Sequence, residues 1–269
     1  MKAVIDSAEL LLQAKNYSGS GNWLDESGNG HHAVPGAGGA APTFDTDHFD
    51  FDGGDVFTIS DDANLDSGTG EDITVMVVFR LPGVTSAWGR LVAKSDDVTF
   101  WEIFMDTGVA PPRVQARLDD DTNVVDVNNK PATAYATVHV GAMVRDAGTD
   151  VRTYLDGTLN TSGAVNDTAG DLSNATDMTI GRNAWGGNPY TGEIMAVALW
   201  RSALSAADIA TAGGELLALT ELQTVIRPIS DTAGTGWDSA PTGSQDLFAQ
   251  VDEVVASDTD YIYTTDPNP

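Results

Sequence analysis

An apolar segment just before residue 200 organises the rest of the chain. Residues 193–200 contain no Gly, Pro or charge after the first position, which predicts a strand buried on both faces rather than an edge strand. Residues 201–204 then turn the chain. Ser205 follows as a predicted N-cap, and Asp208 at the third helical position completes a capping pair. The pattern therefore predicts a buried strand followed by a helix of three or four turns.

Short apolar segments recur about every ten residues before this strand. Alternation is clearest at Val114, Ala116 and Leu118, and Asp156-Gly157 is a residue pair that type I′ hairpin turns prefer. Short strands at this spacing indicate an antiparallel sandwich. The predicted strands are two short ones on either side of 52–55, and then 73–81, 90–94, 99–105, 113–118, 135–145, 151–155, 158–161 and 178–182.

Residues 23–33, with the sequence WLDESGNGHHA, carry a dense turn signal. Gly28 and Gly30 suit tight turns, and the side chains of Asp25, Ser27 and Asn29 can bond to the neighbouring backbone. A structured turn is therefore expected near the start of the chain.

Three motifs resemble those of laminin G-like domains in the concanavalin A-type lectin and glucanase superfold. The first is D-x-S-G-N-G at 25–30, and the second is V-x-x-Y-x-D-G at 151–157. The third is a closing series filled by Ile180, Gly181, Gly192, Ile194, Val197, Trp200, Ala203, Leu204, Ser205, Asp208 and Ile209. The resemblance implies an all-β antiparallel jelly-roll sandwich over 1–219, with one short helix near its end. It also implies a strand at 8–14, although the composition of that segment favours a helix.

Residues 220–269 form an acidic C-terminal tail with nine acidic residues and one arginine. A short amphipathic helix is predicted near 246–255, followed by a strand at 261–263. The tail resembles the opening of a β-sandwich module of phage structural proteins, and fifty residues are too few to close such a sandwich alone. We expect it either to fold back or to attach to a neighbouring subunit. The candidate partner-binding residues are Trp237, Leu247, Phe248, Val251, Tyr261 and Tyr263.

The charge of the chain excludes some partners. Thirteen basic and 40 acidic residues give a net charge of −27, which repels phosphate backbones and anionic bilayers, so we expect neither nucleic acid nor a membrane as partner. No apolar run reaches the roughly 18 residues of a membrane span, and the first residues, MKAVIDSAELL, carry no signal peptide pattern. The chain has no cysteine and thus no disulfide framework.

The sequence does not predict an enzyme. Glucanases of the superfold carry E-x-D-x-x-E on one strand, and the nearest approach begins at Glu102 but has Phe104 and Thr107 at the other two positions. Glu102 and Asp106 could share a strand face, although solvated carboxylates explain them as well. No cofactor is required by this interpretation.

Calcium is the one ion that the resemblance implies, since members of the superfold often bind Ca²⁺ at the sandwich rim through oxygen ligands. Asp25 and Asn29 match the turn near that site. Asp119, Asp120 and Asp121 are a second candidate. Asx-turn geometry explains Asp25 without an ion, and solvation of a hairpin tip explains the three consecutive aspartates.

Three aromatic residues are candidates for glycan binding. Trp88, Trp185 and Tyr190 lie in loop-like contexts next to Gly or Pro, where an exposed ring can stack on a sugar. Such rings can instead cap the rim of the sandwich or contact another subunit.

These observations leave three hypotheses. The first is a non-enzymatic structural protein on the virion surface of a tailed phage, made in the host cytoplasm. In this hypothesis the chain is a homo-oligomer that attaches to other virion proteins through its tail. The second is a carbohydrate-binding adhesin that contacts host surface glycans, and the third is a degenerate glycosidase that uses Glu102.

Overall fold

The computed structural model describes residues 4–83, 88–109, 111–127, 133–159, 164–184 and 186–225, with the backbone alone at 221–225. The chain divides into two units, Met1–Thr220 and Glu221–Pro269, and the fold below is that of the first, with the last turn of helix α1 extending beyond Thr220. The predicted tail helix and strand lie outside the described residues, and so do Trp237, Leu247, Phe248, Val251, Tyr261 and Tyr263. The expected domain boundary and the role of the tail stay predictions.

Sixteen strands and one α-helix occur within the described residues. The first eight strands are β1 Leu10–Gln13, β2 Val34–Pro35, β3 Thr43–Asp45, β4 His48–Asp52, β5 Phe57–Ile59, β6 Ile73–Arg80, β7 Gly89–Ser95 and β8 Thr99–Asp106. The others are β9 Arg113–Asp120, β10 Val124–Val127, β11 Val138–Asp146, β12 Asp150–Leu155, β13 Thr158–Leu159, β14 Val165–Asn166, β15 Met178–Ile180 and β16 Thr191–Trp200, followed by α1 Ala206–Val225. Short 3₁₀ turns lie at Ile5–Ser7, Ala14–Asn16, Gly38–Ala40 and Ala63–Leu65.

The described strands form two antiparallel sheets. The nine-stranded sheet has the order β13-β12-β11-β6-β16-β4-β3, with β1 beside β16 and β14 beside β12. The seven-stranded sheet has the order β10-β9-β8-β7-β15-β5-β2. This arrangement confirms the predicted all-β antiparallel sandwich, including the strand expected near residues 8–14.

Strand β16 lies in the interior of its sheet, as its apolar run predicted. It pairs with β6 on one side, while β4 and β1 share its other side at opposite ends. From Ile194 to Trp200 every residue is buried, because the sandwich core covers one face and further apolar residues cover the other.

Aromatic rings fill one end of the core between the sheets. The ring centroid of Trp23 lies 4.8 Å from that of Phe49 and 5.4 Å from that of Phe57. Phe49 and Phe57 are themselves 4.8 Å apart in an edge-to-face arrangement, the geometry that aromatic quadrupoles favour. This cluster joins the start of the chain to both sheets.

Helix α1 covers part of the outer face of the nine-stranded sheet. Ile209, Ala212 and Leu216 follow the spacing of one helical face and pack against that sheet. The Ser205 hydroxyl accepts from Asp208 N at 3.2 Å and donates to Asp208 Oδ2 at 2.7 Å, which confirms the capping pair. The helix has 20 residues, more than the three or four turns expected. No helix among the described residues is long and apolar enough to cross a bilayer.

The hairpin of β12 and β13 turns at Asp156 and Gly157. Both residues have positive φ, 50° and 73°, as a type I′ turn requires. A Cβ on Gly157 would lie 3.3 Å from Ala210, so this turn packs closely against α1. The predicted hairpin is thereby confirmed.

Candidate functional site

Trp88 lies immediately before β7, with 45% of its surface exposed and a positive φ of 74°. Its ring stacks against that of Phe104 on the neighbouring strand β8, with centroids 6.0 Å apart and planes inclined by 6°. Offset parallel stacking is a favourable arrangement for two aromatic rings. The indole ring of Trp88 is therefore held in place by Phe104 and remains partly exposed to solvent.

Arg90 fixes the backbone beneath this surface. Its Nη1 donates to the carbonyl of Trp88 at 2.8 Å, and its guanidinium carbon lies 4.6 Å from the centre of the Phe104 ring. Its Nε and Nη2 donate to the two carboxylate oxygens of Glu102 at 2.7 and 2.6 Å. Such a bidentate pair has a defined geometry, so the position of Trp88 is set before any ligand arrives.

Glu102 is 1% exposed and is engaged through both oxygens. Burial raises the pKa of Glu102, and the charge and hydrogen bonds of Arg90 oppose that shift. Asp106 accepts from Gln115 Nε2 and from Gly108 N, each at 3.0 Å. Both carboxylates thus have structural partners, which argues against a catalytic pair on β8.

Tyr190 is buried, and the prediction that it is an exposed loop ring is wrong. It is 1% exposed, and its hydroxyl donates to the carbonyl of Arg80 at 3.0 Å. The segment that carries it packs on the start of β7, where a Cβ on Gly89 would lie 3.0 Å from Tyr190 Cα. Burial raises the pKa of Tyr190 well above its usual value. Trp185 lies outside the described residues, so its glycan-binding role stays a prediction.

Asp25 organises the turn at 25–31. Within the described chain its carboxylate accepts five hydrogen bonds, from the backbone of Leu11, Ser27, Gly30 and His31 and from the Ser27 hydroxyl. Burial alone would raise the pKa of Asp25, but these hydrogen bonds outweigh it and hold the pKa below its usual value. A carboxylate has about four lone-pair positions, so these donors already saturate it.

Asn29 takes part in the same turn, where its Nδ2 donates to the carbonyl of Glu9 at 2.9 Å. These contacts support the Asx-turn interpretation of the motif over the calcium interpretation. Calcium at Asp25 and Asn29 stays a prediction, and it would require Asp25 to exchange backbone donors for the ion.

The consecutive aspartates close the hairpin between β9 and β10. Asp120 accepts from the backbone of Thr122, Asn123 and Gly170, and from the Asn123 side chain. Burial alone would raise the pKa of Asp120, but these hydrogen bonds together outweigh it and lower the pKa to about 2. Asp119 accepts from Asp121 N at 3.0 Å. This carboxylate arrangement, too, is explained by turn formation.

A small polar cleft of about 190 Å³ lies beside the turn at 25–31. Typical small-molecule sites have volumes of roughly 300–1,000 Å³, so this cleft is undersized for such a ligand. Its lining residues are Asn29, Gly30, His31, His32, Ile59, Ser60, Asp61 and Asp62.

The support of Trp88 was not foreseen from the sequence. The alternation of β8 places Phe104 on the face opposite Trp101 and Ile103, which are core residues. That pattern predicts that the Phe104 ring points away from the core, but it does not show that Trp88 stacks on this ring. Arg90 is likewise two residues from Trp88 without any motif that links them.

Several solved structures with a similar fold are toxin binding domains. The binding domain of Paraclostridial Mosquitocidal Protein 1 is 12% identical with a TM-score of 0.61, and the match covers 79% of this chain and 53% of that one. The ligand-binding domain of botulinum neurotoxin serotype D, in complex with N-acetylneuraminic acid, is 14% identical with a TM-score of 0.56, covering 78% and 51%. The chain therefore spans about half the length of these toxin domains.

Domain 4 of AbnA, an extracellular arabinanase of Geobacillus stearothermophilus in complex with arabinotriose, is 12% identical with a TM-score of 0.55. The match covers 77% of this chain and 98% of that domain. At these identities the likeness concerns the fold. No curated protein shows significant sequence similarity to the chain.

The family comparison agrees with the fold. Residues 51–210, more than half of the 269 residues, match the laminin G-type model of the concanavalin A-like lectin/glucanases superfamily. The matched segment begins within β4 and ends within α1, so it includes most of both sheets, the closing strand and the start of the helix. The chain belongs to the concanavalin A-like lectin/glucanases superfamily.

Proposed function

We propose that this chain is a non-catalytic carbohydrate-binding domain that stacks a sugar ring on the indole of Trp88. The observation that carries the proposal is the half-exposed ring of Trp88, held by Phe104 and Arg90 before any ligand binds. A preformed aromatic surface reduces the entropy lost on binding. Two structures of similar fold hold sugars, arabinotriose and N-acetylneuraminic acid, which supports the proposal by analogy of fold.

The electrostatics favour a neutral sugar. The net charge of −27 repels anionic ligands, and Arg90, which donates to the Trp88 carbonyl, is already engaged by Glu102. A neutral hexose or pentose therefore suits the surface better than a uronic or sialic acid.

The contacts of Glu102 support a non-catalytic role. Most glycoside hydrolases use two accessible carboxyl groups, one on either side of the scissile bond. Glu102 is buried and clamped by Arg90, and Asp106 is engaged by Gln115. The degenerate glycosidase hypothesis is therefore the least supported.

Glycan-array binding by the full chain tests this function. Trp88→Ala should weaken binding to a neutral glycan by at least about tenfold, since it removes the stacking surface. Leu24→Ala is the matched control, because Leu24 is an exposed apolar residue, 54% accessible, outside this surface. Equal binding by Trp88→Ala and the unmodified chain would contradict the proposal, as would no binding to any glycan at millimolar concentration.

We also propose that the domain is displayed on the virion surface of a tailed phage, as a homo-oligomeric decoration or fibre-type subunit that residues 220–269 attach to other virion proteins. The support is the resemblance of the tail sequence to phage structural modules. Many weak copies on a repeating lattice would give strong attachment through avidity.

A truncated chain tests this attachment. Because α1 runs to Val225, the chain should be cut after that residue so that the helix stays intact. The truncated domain should fold and bind glycan as before but fail to incorporate into particles, as measured by mass spectrometry with copy number. Normal incorporation of the truncated domain would refute the attachment role.

A further inference from the structure

The hairpin of β3 and β4 gathers acidic side chains around one histidine. Asp45 pairs with His48, and Asp50 pairs with Glu193 on β16. Directly opposed residues of antiparallel strands point to the same face, and alternate residues of one strand share a face. Phe49 points into the core, so His48 and Asp50 lie on the outer face of the nine-stranded sheet.

The imidazole of His48 is the centre of this group. The residue is 9% exposed, and its Nε2 lies 3.6 Å from Asp50 Oδ1 and 3.6 Å from Glu193 Oε2. One ligand atom each of Asp45, His48 and Asp50 lies within 4.8 Å of the other two. Three side chains of metal-ligating type thus converge on one small space.

The other ring nitrogen of His48 is already occupied. Nδ1 lies 2.8 Å from Asp47 Oδ1, and because a carboxylate oxygen accepts, Nδ1 is the donor; in the neutral ring the lone pair is then on Nε2. Nε2 then faces two carboxylates, and it has no hydrogen-bond partner within the described residues. A proton on Nε2 would leave both oxygens beyond hydrogen-bond distance at 3.6 Å. A larger cation fits this arrangement of acceptors better.

We propose that Asp45, His48 and Asp50 bind a divalent transition-metal ion of the zinc class. Zinc accepts imidazole nitrogen and carboxylate oxygen as ligands at about 2.0–2.2 Å, which places two tetrahedral ligand atoms about 3.4 Å apart. The observed separation of 3.6 Å between Nε2 and Asp50 Oδ1 needs little adjustment. Asp47 is the outer-shell carboxylate that orients the imidazole.

Glu193 lies next to the site but serves another partner. It forms an ion pair with Arg80, its neighbour on β6. This pairing leaves Asp45, His48 and Asp50 as the ligands, with a fourth position for water. The side chain of Asp50 is 51% exposed and Asp45 is also exposed, so an ion can enter from solvent above the buried ring.

This site is separate from the proposed sugar-binding surface, and its test does not depend on glycan binding. The full, untagged chain is titrated with ZnCl₂ by isothermal calorimetry, with CaCl₂ and MgCl₂ as comparison ions. We expect saturable binding of one zinc ion per chain and weaker binding of calcium and magnesium, because imidazole is a poor ligand for those two.

Graded variants distinguish this site from adventitious binding. His48→Gln should abolish zinc binding, and Asp47→Asn should weaken it by roughly 10–100-fold, as the loss of an outer-shell partner does. Asp50→Asn changes a half-exposed side chain and should also reduce binding strongly while leaving the thermal melt of the metal-free protein unchanged. His32→Gln, which changes an exposed histidine, should bind zinc as the unmodified chain does.

Two results would overturn the proposal. One is the absence of saturable zinc binding to the folded chain. The other is zinc binding that survives both His48→Gln and Asp50→Asn, or that is lost in His32→Gln.

Discussion

The hydroxyl of Tyr190 lies directly beneath Gly192. A Cβ on Gly192 would come within 2.6 Å of that oxygen and 2.7 Å of the Arg80 carbonyl, to which the hydroxyl donates. Gly192 also has a φ of 145°, which residues with a side chain rarely adopt. Gly192, one position of the closing series, is therefore required by the tyrosine two residues earlier.

Gly192→Ala should destabilise the fold. The added methyl group would displace Tyr190 from Arg80 and strain the backbone, at a cost of about 1–3 kcal/mol in the free energy of unfolding. Urea unfolding monitored by circular dichroism measures this. Unchanged stability would show that Tyr190 moves aside without cost.

Gly214→Ala is expected to act in the opposite direction. Gly214 lies in the interior of α1 and a Cβ there would meet nothing within 4 Å, so the change gains helix propensity without a clash. The same unfolding measurement should show an increase of roughly 0.5–1 kcal/mol. A decrease would mean that the backbone at this point of the helix is not free to accept alanine.

Arg145→Met should be strongly destabilising. Arg145 is fully buried, pairs with the buried Asp167, and donates to Ser67 and to the carbonyls of Ala169 and Gly170. Its removal leaves the Asp167 charge buried with its arginine partner missing, which costs about 3–5 kcal/mol. Chemical denaturation at neutral pH provides the measurement.

Arg201→Met is the matched control for that change. Arg201 pairs with Glu71 at 3.0 Å, but both side chains are about one-third or more exposed. Surface pairs of this kind contribute up to about 1 kcal/mol. Similar losses in the two variants would contradict the larger contribution expected of the buried pair of Arg145 and Asp167.

The pair of His139 and Asp156 should make stability depend on pH. The hydrogen bond from His139 Nδ1 to Asp156 Oδ2, 2.8 Å long, raises the pKa of His139 although burial opposes it. Because the pKa of His139 is higher in the folded than in the unfolded chain, the protonated imidazole stabilises the fold. This stabilisation is fully present below pH 6.5, the ordinary pKa of histidine, and is lost as the pH rises through the pKa of the folded state. Unfolding free energies at pH 6 and pH 8 should therefore differ, and His139→Gln should reduce the difference. If the unfolding free energy changes by the same amount between pH 6 and pH 8 in both proteins, His139 is not the cause of the pH dependence.

Asp25→Asn should lower stability by about 2–3 kcal/mol, because an amide nitrogen would replace an oxygen that accepts backbone donors. If the carboxylate serves the turn, thermal melts in calcium and in a chelator should show the same loss. A loss that appears only with calcium present would instead support the predicted ion at Asp25 and Asn29.

The elements that the sequence predicted depend on local signals. The apolar run of β16, the turn at Asp156-Gly157 and the Ser205-Asp208 cap each depend on neighbours within a few residues. The chemistry of these short segments is sufficient to specify them, so their positions were predictable.

Features that depend on distant contacts were not predictable. Tyr190 follows a proline in a loop-like sequence, but its burial depends on Arg80, 110 residues away. The support of Trp88 likewise depends on the pairing of β7 with β8. Pattern and propensity contain no information about these long-range contacts.

The position of β16 between β6 and the two strands β1 and β4 has a consequence for synthesis. Leu10 pairs with Leu199, so β1 meets its partner strand only after nearly 190 further residues have been translated. Pairings this remote slow folding and leave unpaired strand edges exposed in the meantime. Closure of the nine-stranded sheet is therefore a late step, and a nascent chain halted before residue 200 would be a good substrate for chaperones.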